Sequence, residues 1–90
     1  MILIGEKLNS SIPKTLEALN QHDEDAIIKL IKSQAEAGAS FLDINTAICE
    51  DELDKMLWVI ELVQQHCDCG IMIDSASPDV IQKAADAVSD

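Results

Sequence analysis

The sequence predicts an α/β fold of parallel strands arranged as three β-loop-α units. Three short apolar runs, Ile2-Leu3-Ile4-Gly5-Glu6, Phe41-Leu42-Asp43-Ile44-Asn45 and Gly70-Ile71-Met72-Ile73-Asp74-Ser75, each stop on polar groups. That is the form of a buried parallel strand delivering polar side chains at its C-terminal end. Segments of helical spacing lie between the runs, and parallel neighbours need such crossovers. The hydrophobic content of 48%, with one Trp, one Phe and no Tyr, is that of an Ala/Ile/Leu-rich packed chain rather than a disordered one.

The first strand is expected over residues 1–6, with Met1 read as the true start. Gly5 allows a close turn, and Glu6-Lys7-Leu8-Asn9 follows as a polar loop just past the strand end, where ligand-contacting groups commonly sit. Ser10-Ser11-Ile12-Pro13 then carries helix-start signals: hydroxyls that can accept from orphan N–H groups and a proline suited to a first turn. A short helix runs to about Asn20. Asp23-Glu24-Asp25 opens a longer one, where the helix dipole favours carboxylates, and Ile27, Leu30, Ile31 and Ala35 give it an apolar stripe. Gly38 is the expected C-terminal cap.

In the second strand, Asp43 and Asn45 are two residues apart and therefore share one face of the sheet. A buried aspartate needs partners, which can be loop N–H groups or a ligand. Thr46-Ala47-Ile48-Cys49 reads as a loop over the strand ends. From Glu50 to about Gln65, Leu53, Met56, Leu57, Ile60 and Val63 form an apolar stripe behind an acidic first turn. Trp58 lies off that stripe, as a half-buried edge residue would, and receives no catalytic role. After the third strand, Ser77 is placed as N-cap and Pro78 at the first helical position. Val80, Ile81, Ala84, Ala85 and Val88 supply that last helix's apolar face.

Charge excludes some functions. Seventeen acidic against six basic residues give a formal net charge of −11, which repels nucleic-acid phosphates and anionic lipid surfaces alike. The acids are spread through the helices, as on a solvated outer face. No apolar run approaches the ~18 residues a membrane span needs, and no signal-peptide pattern opens the chain. With three cysteines, an odd number, the expected compartment is the reducing cytoplasm. His66-Cys67-Asp68-Cys69 offers thiolates and an imidazole, but four consecutive residues cannot close a structural zinc site, so this stretch is read as a helix end and turn.

Three βα units make either an open doubly wound sheet or part of a (β/α)₈ barrel, and periodicity does not choose between them. The glycine-rich loops G-x-G-x-x-G and G-x-x-x-x-G-K-[ST], which mark many open sheets, are absent. Polar groups at three strand ends fit a barrel mouth. Ninety residues also offer little cover for parallel strands with two apolar faces, so the chain is expected to associate or to be a piece of something larger.

Ile4-Gly5-Glu6-Lys7-Leu8-Asn9, Gly38-Ala39 followed by Leu42-Asp43-Ile44-Asn45, and Met72-Ile73-Asp74-Ser75 together resemble the opening motifs of the pterin-binding domain of methyltetrahydrofolate–corrinoid methyltransferases. That domain is a (β/α)₈ TIM barrel, related more distantly to dihydropteroate synthase. The resemblance runs in order over essentially the whole chain, and it implies that residues 1–90 are the first three βα units, an N-terminal fragment of a pterin-binding domain. It places Asp74 where the family's strand-end aspartate accepts hydrogen bonds from the pterin ring, whose amino and ring N–H groups form a donor edge suited to a carboxylate. Asn9, Asp43 and Asn45 fall on the matching Gly-Glu-x-x-Asn and Asp-x-Asn positions as pocket residues, and Ser75 and Glu6 join them. Lys7 stands where an arginine is usual, which would replace a planar bidentate contact with a point charge.

The resemblance implies transfer of a methyl group from N5 of methyltetrahydrofolate, the substrate, to the Co(I) of a cobalamin or other corrinoid carried by a partner protein, a step of one-carbon metabolism. A tertiary amine is a poor leaving group, so N5 must gain a proton or strong hydrogen bond as the methyl departs. In the family that assisting group lies on a later strand, so no catalytic residue is expected here and the chain alone is expected to be inactive. Two alternatives stand beside this reading: a fragment of a dihydropteroate-synthase-like pterin enzyme, and a non-catalytic acidic α/β module that self-associates. Bare parallel edges predict a dimer or larger homo-oligomer in any case.

Overall fold

The computed structural model describes residues 1–88. The elements run β1 (Ile4–Asn9), α1 (Pro13–Asn20), α2 (Glu24–Glu36), β2 (Phe41–Asn45), α3 (Glu52–His66), β3 (Gly70–Ile73) and α4 (Pro78–Ala87). The strands form one parallel sheet in the order β1-β2-β3. Helices α1 and α2 pack on β1, α3 on β2 and α4 on β3, and neighbouring helices touch. The winding is single, with helices on one face of the sheet, which is the arrangement of a barrel wall.

Local chemistry explains most element boundaries. Asp23 accepts from the Ala26 N–H at 3.2 Å to cap α2, Asp51 from the Asp54 N–H at 3.1 Å to cap α3, and Ser77 from the Val80 N–H at 3.3 Å to cap α4. Pro13 and Pro78 open α1 and α4. At the end of α2, Gly38 has φ +98°. Its N–H reaches the Ala35 carbonyl while the Ala39 N–H reaches that of Gln34, both at 3.1 Å, a Schellman closure that requires the left-handed residue.

Two expectations at the N-terminal end are corrected. The first strand is Ile4–Asn9 rather than residues 1–6, so Lys7, Leu8 and Asn9 belong to the sheet and not to a loop beyond it. Ser10 and Ser11 do not cap α1: the N-cap is Ile12, with no side-chain bond. The Ser10 hydroxyl instead ties β1 to the end of β2, as described below.

The core lies between the sheet and the helices. Leu8, Leu42 and Ile44 project into it, against Leu19, Ile27, Ile31, Met56, Val59, Ile60 and Val63. In α3 the buried set includes Val59 and Leu62 beside the expected Met56, Ile60 and Val63, and Leu57 is only half-buried. In α4 only Val80 and Ala84 are buried, whereas Ile81 and Ala85 face out. Trp58 is half-buried under the His22 ring, with centroids 3.7 Å apart. Lys55 Nζ lies 3.1 Å from His22 Nδ1 and 5.3 Å from the Trp58 ring, so this indole pins the α1–α2 turn to α3. His66-Cys67-Asp68-Cys69 is the end of α3 and the lead into β3, where Cys67 Sγ donates to the Val63 carbonyl and Cys69 Sγ to that of Ala39.

Candidate functional site at the strand ends

The sheet face away from the helices is open. Its side chains follow from register: Ile4 pairs with Phe41, Phe41 with Gly70, Asp43 with Met72, and Asn9 with Asn45. Towards the strand starts this face is apolar, with Ile4 45% and Met72 41% exposed. Phe41 lays its ring where a Gly70 side chain would stand, since a Cβ there would lie 2.5 Å from Phe41 Cδ1. Towards the strand ends the same face becomes polar with Asp43, Asn9, Asn45 and Asp74.

Asn45 links the three strand ends. Its Oδ1 accepts from the Ala47 N–H at 2.9 Å and from Ser10 Oγ at 3.3 Å, and its Nδ2 donates to Asp74 Oδ2 at 3.4 Å. The Ser10 N–H donates to the Asn45 carbonyl at 2.8 Å, and the Asp74 N–H to the Ile44 carbonyl at 3.0 Å. Ser10 Oγ in turn accepts from the Ile48 N–H at 3.2 Å. The Asn45 amide and the Ser10 hydroxyl each both donate and accept in this network, which fixes rotamers that would otherwise be free. Asn9 Oδ1 takes both the N–H and the hydroxyl of Ser11 at 2.8 Å, leaving its amide N–H₂ without a protein acceptor among these bonds.

Three carboxylates share the open face. Desolvation, followed by the charges of Asp74 and Glu6, raises the Asp43 carboxyl above the usual aspartate range. The mouth is thus acidic and rich in acceptors, suited to a ligand edge that presents N–H groups and ill suited to an anion. Among the described residues no cluster has the makeup to hold a metal ion.

Of the residues singled out in the sequence, Asp74, Asn45, Asn9, Asp43 and Glu6 are brought to this face. Ser75 is turned away: its hydroxyl donates to Glu52 Oε2 on α3 at 2.7 Å and accepts from the Ser77 N–H at 3.0 Å, which steadies the start of α4. Lys7 lines a hollow of about 560 Å³ between α1 and α2, with Ile12, Lys14, Ala18 and Leu30 among its walls. That hollow is apolar and contains none of the mouth residues. Sequence reasoning missed Ser10, because a serine ahead of a helix has the same local signature whether it caps the helix or bonds across the sheet. It also missed Thr15 and Gln34, both buried polar residues on the helix side.

The family model described as "Pterin binding enzyme" matches residues 5–90. The chain is also 37% identical over 83 residues to the methylcorrinoid:tetrahydrofolate methyltransferase of Eubacterium limosum, a match covering 91% of this chain and 31% of the relative. The chain therefore spans under a third of the length of that curated relative.

Proposed function

The chain belongs to the pterin binding enzyme family, and on that premise we propose that its strand ends are one wall of the pterin site of a methyltransferase working between a tetrahydrofolate and a corrinoid. The observation that carries this reading is the alignment of Asn9, Asn45 and Asp74 across three strand ends, with the Asp74 carboxylate exposed and held by a single side-chain donor. In this reading Asp74 accepts from the pterin's amino and ring N–H groups. Asn45 sets the carboxylate plane, and Asn9 offers its free amide to a ring carbonyl or nitrogen. Asp43 and Glu6 line the pocket below. Ser75 acts indirectly, by fixing the loop that follows Asp74.

The relative is named for transfer from methylcorrinoid to tetrahydrofolate, whereas the sequence resemblance gave the opposite sense. One transition state serves both directions, so the same wall suits either. Its task is to bind and orient. Proton exchange at N5 falls to a group outside these 90 residues, as does docking of the corrinoid-bearing partner, so the chain alone should not turn over. Methyl transfer by the purified chain at the rate of a full barrel would refute that assignment.

Binding is tested by titrating the isotopically labelled chain with methyltetrahydrofolate. Saturable shifts at Asn45 and Asp74 are expected, reduced about tenfold or more in affinity by Asp74→Asn, which removes a charge-assisted acceptor. A folded chain with no shifts overturns the reading. The bare apolar patch of Ile4, Phe41 and Met72, together with two sheet edges that are unpaired among the described residues, favours self-association as a second property of the isolated chain. Sedimentation should show a dimer or larger species, and a monomer at micromolar concentration speaks against it. All three cysteines are free thiols, in keeping with a reducing cytoplasm. Among the described residues no helix is long and apolar enough to cross a membrane.

A further inference from the structure

The pairing of β1 with β2 slips midway. Ile4 and Gly5 face Phe41 and Leu42, but Leu8 and Asn9 face Ile44 and Asn45, so β1 spends three steps where β2 spends two. One extra residue is bulged out at Glu6-Lys7. The consequence concerns faces: without the bulge Leu8 would pair with Asn45 on the open face, and Asn9 would turn towards the helices. The bulge alone puts Leu8 in the core and Asn9 at the mouth.

A bulge removes backbone groups from the ladder, and buried groups so released must find other partners. The two backbone groups of Lys7 find theirs on the helix side. Its N–H donates to Gln34 Oε1 at 3.0 Å, and its carbonyl accepts from Thr15 Oγ1 at 2.9 Å. Thr15 is 3% and Gln34 7% exposed. The Gln34 amide is itself oriented, because Nε2 donates to the Leu30 carbonyl at 3.1 Å. Gly5 makes the room: a Cβ there would lie 2.4 Å from Gln34 Oε1 and 2.8 Å from Leu42 Cδ2.

We propose that Thr15 and Gln34 are positioning residues for the ligand site, clamping the β1 bulge from the helix side so that Asn9 stands beside Asn45 on the open face. The effect on ligand rests on the pterin reading above, whereas the effect on register does not. Neither side chain touches the mouth. Both act through the backbone of Lys7, and Gly5 is the third part of the device.

The test uses the full 90-residue chain. In the unaltered protein, a scalar coupling across the Lys7 N–H···Oε1 bond to Gln34 and slow exchange of the Lys7 amide are expected. Absence of both overturns the proposal without any variant. Thr15→Val keeps the shape and removes the hydroxyl, while Thr15→Ser keeps the hydroxyl. Thr15→Val should speed Lys7 amide exchange roughly tenfold, the worth of about one buried hydrogen bond, and weaken the nuclear Overhauser contacts between Asn9 and Asn45. Methyltetrahydrofolate affinity should fall by a similar factor, and Thr15→Ser should restore all three. A folded Thr15→Val chain with unchanged Lys7 exchange and Asn9–Asn45 contacts overturns the clamp. If those register signals move as expected while the unaltered chain binds no pterin, the clamp stands and the pterin reading fails.

Discussion

Along β2, Leu42 and Ile44 are wholly enclosed, whereas Phe41, Asp43 and Asn45, each one step away, look onto solvent. The two faces of one five-residue strand therefore live in different media. The covered face is finished within this chain: its apolar groups meet four helices, and among the described residues no buried side-chain polar atom lacks a partner. The open face is unfinished at its apolar end and chemically armed at its polar end. Stability is expected to reside on the first face and recognition on the second.

Substitutions on the two faces should therefore diverge, most of all where volume is removed. Ile44→Ala should cost about 2–5 kcal/mol in chemical denaturation, the usual range for a large aliphatic deleted from a core. Met72→Ala on the open face should cost no more than about 1 kcal/mol. Equal losses would mean that the open face is covered in solution, and sedimentation of the two variants would reveal by what.

Adding a methyl sharpens the same contrast. Gly5→Ala drives a Cβ into Gln34 and Leu42 on the packed side and should cost about 1–3 kcal/mol, as overpacking does. At Gly70 the obstacle is the Phe41 ring, which borders open space and can swing aside, so Gly70→Ala should fall below about 1 kcal/mol. Thermal melts of the pair decide whether Phe41 is free to move.

The smallest effect is electrostatic. Because the Asp43 carboxyl titrates above its ordinary value, its ionised form is disfavoured by folding. Stability is thus fullest below the ordinary aspartate pKa and declines as pH rises through the raised one. Asp43→Asn should stabilise the chain at neutral pH by less than about 1 kcal/mol, since solvent screens much of the repulsion. The gain should vanish near pH 3, and parallel urea curves at the two pH values measure it.

The covered face was largely legible in the sequence, and so was part of the mouth. Apolar runs located β2 and β3, period-two alternation put Asp43 and Asn45 together, and Ser77-Pro78 and Gly38 marked helix ends, because each signal is written within a few residues. The bounds of β1 were not legible, since Ile4-Gly5-Glu6-Lys7-Leu8-Asn9 has two apolar residues where regular alternation would require a third. Ser10 was misread for a different cause: its partners, Asn45 and Ile48, lie 35 and 38 residues away, while its local signature is that of a helix cap.

By itself, then, the sequence determined the order of strands and helices, the Ser77 cap of α4, the glycine that closes α2, and which residues of β2 share a face, all consequences of backbone geometry written over short spans. Only the tertiary structure decided where Asn9 points. That depends on a bulge at Glu6-Lys7 whose cost is met by Thr15, 8 residues from Lys7, and Gln34, 27 residues away. No local pattern encodes such partners, because they become neighbours only once two helices have packed against the sheet.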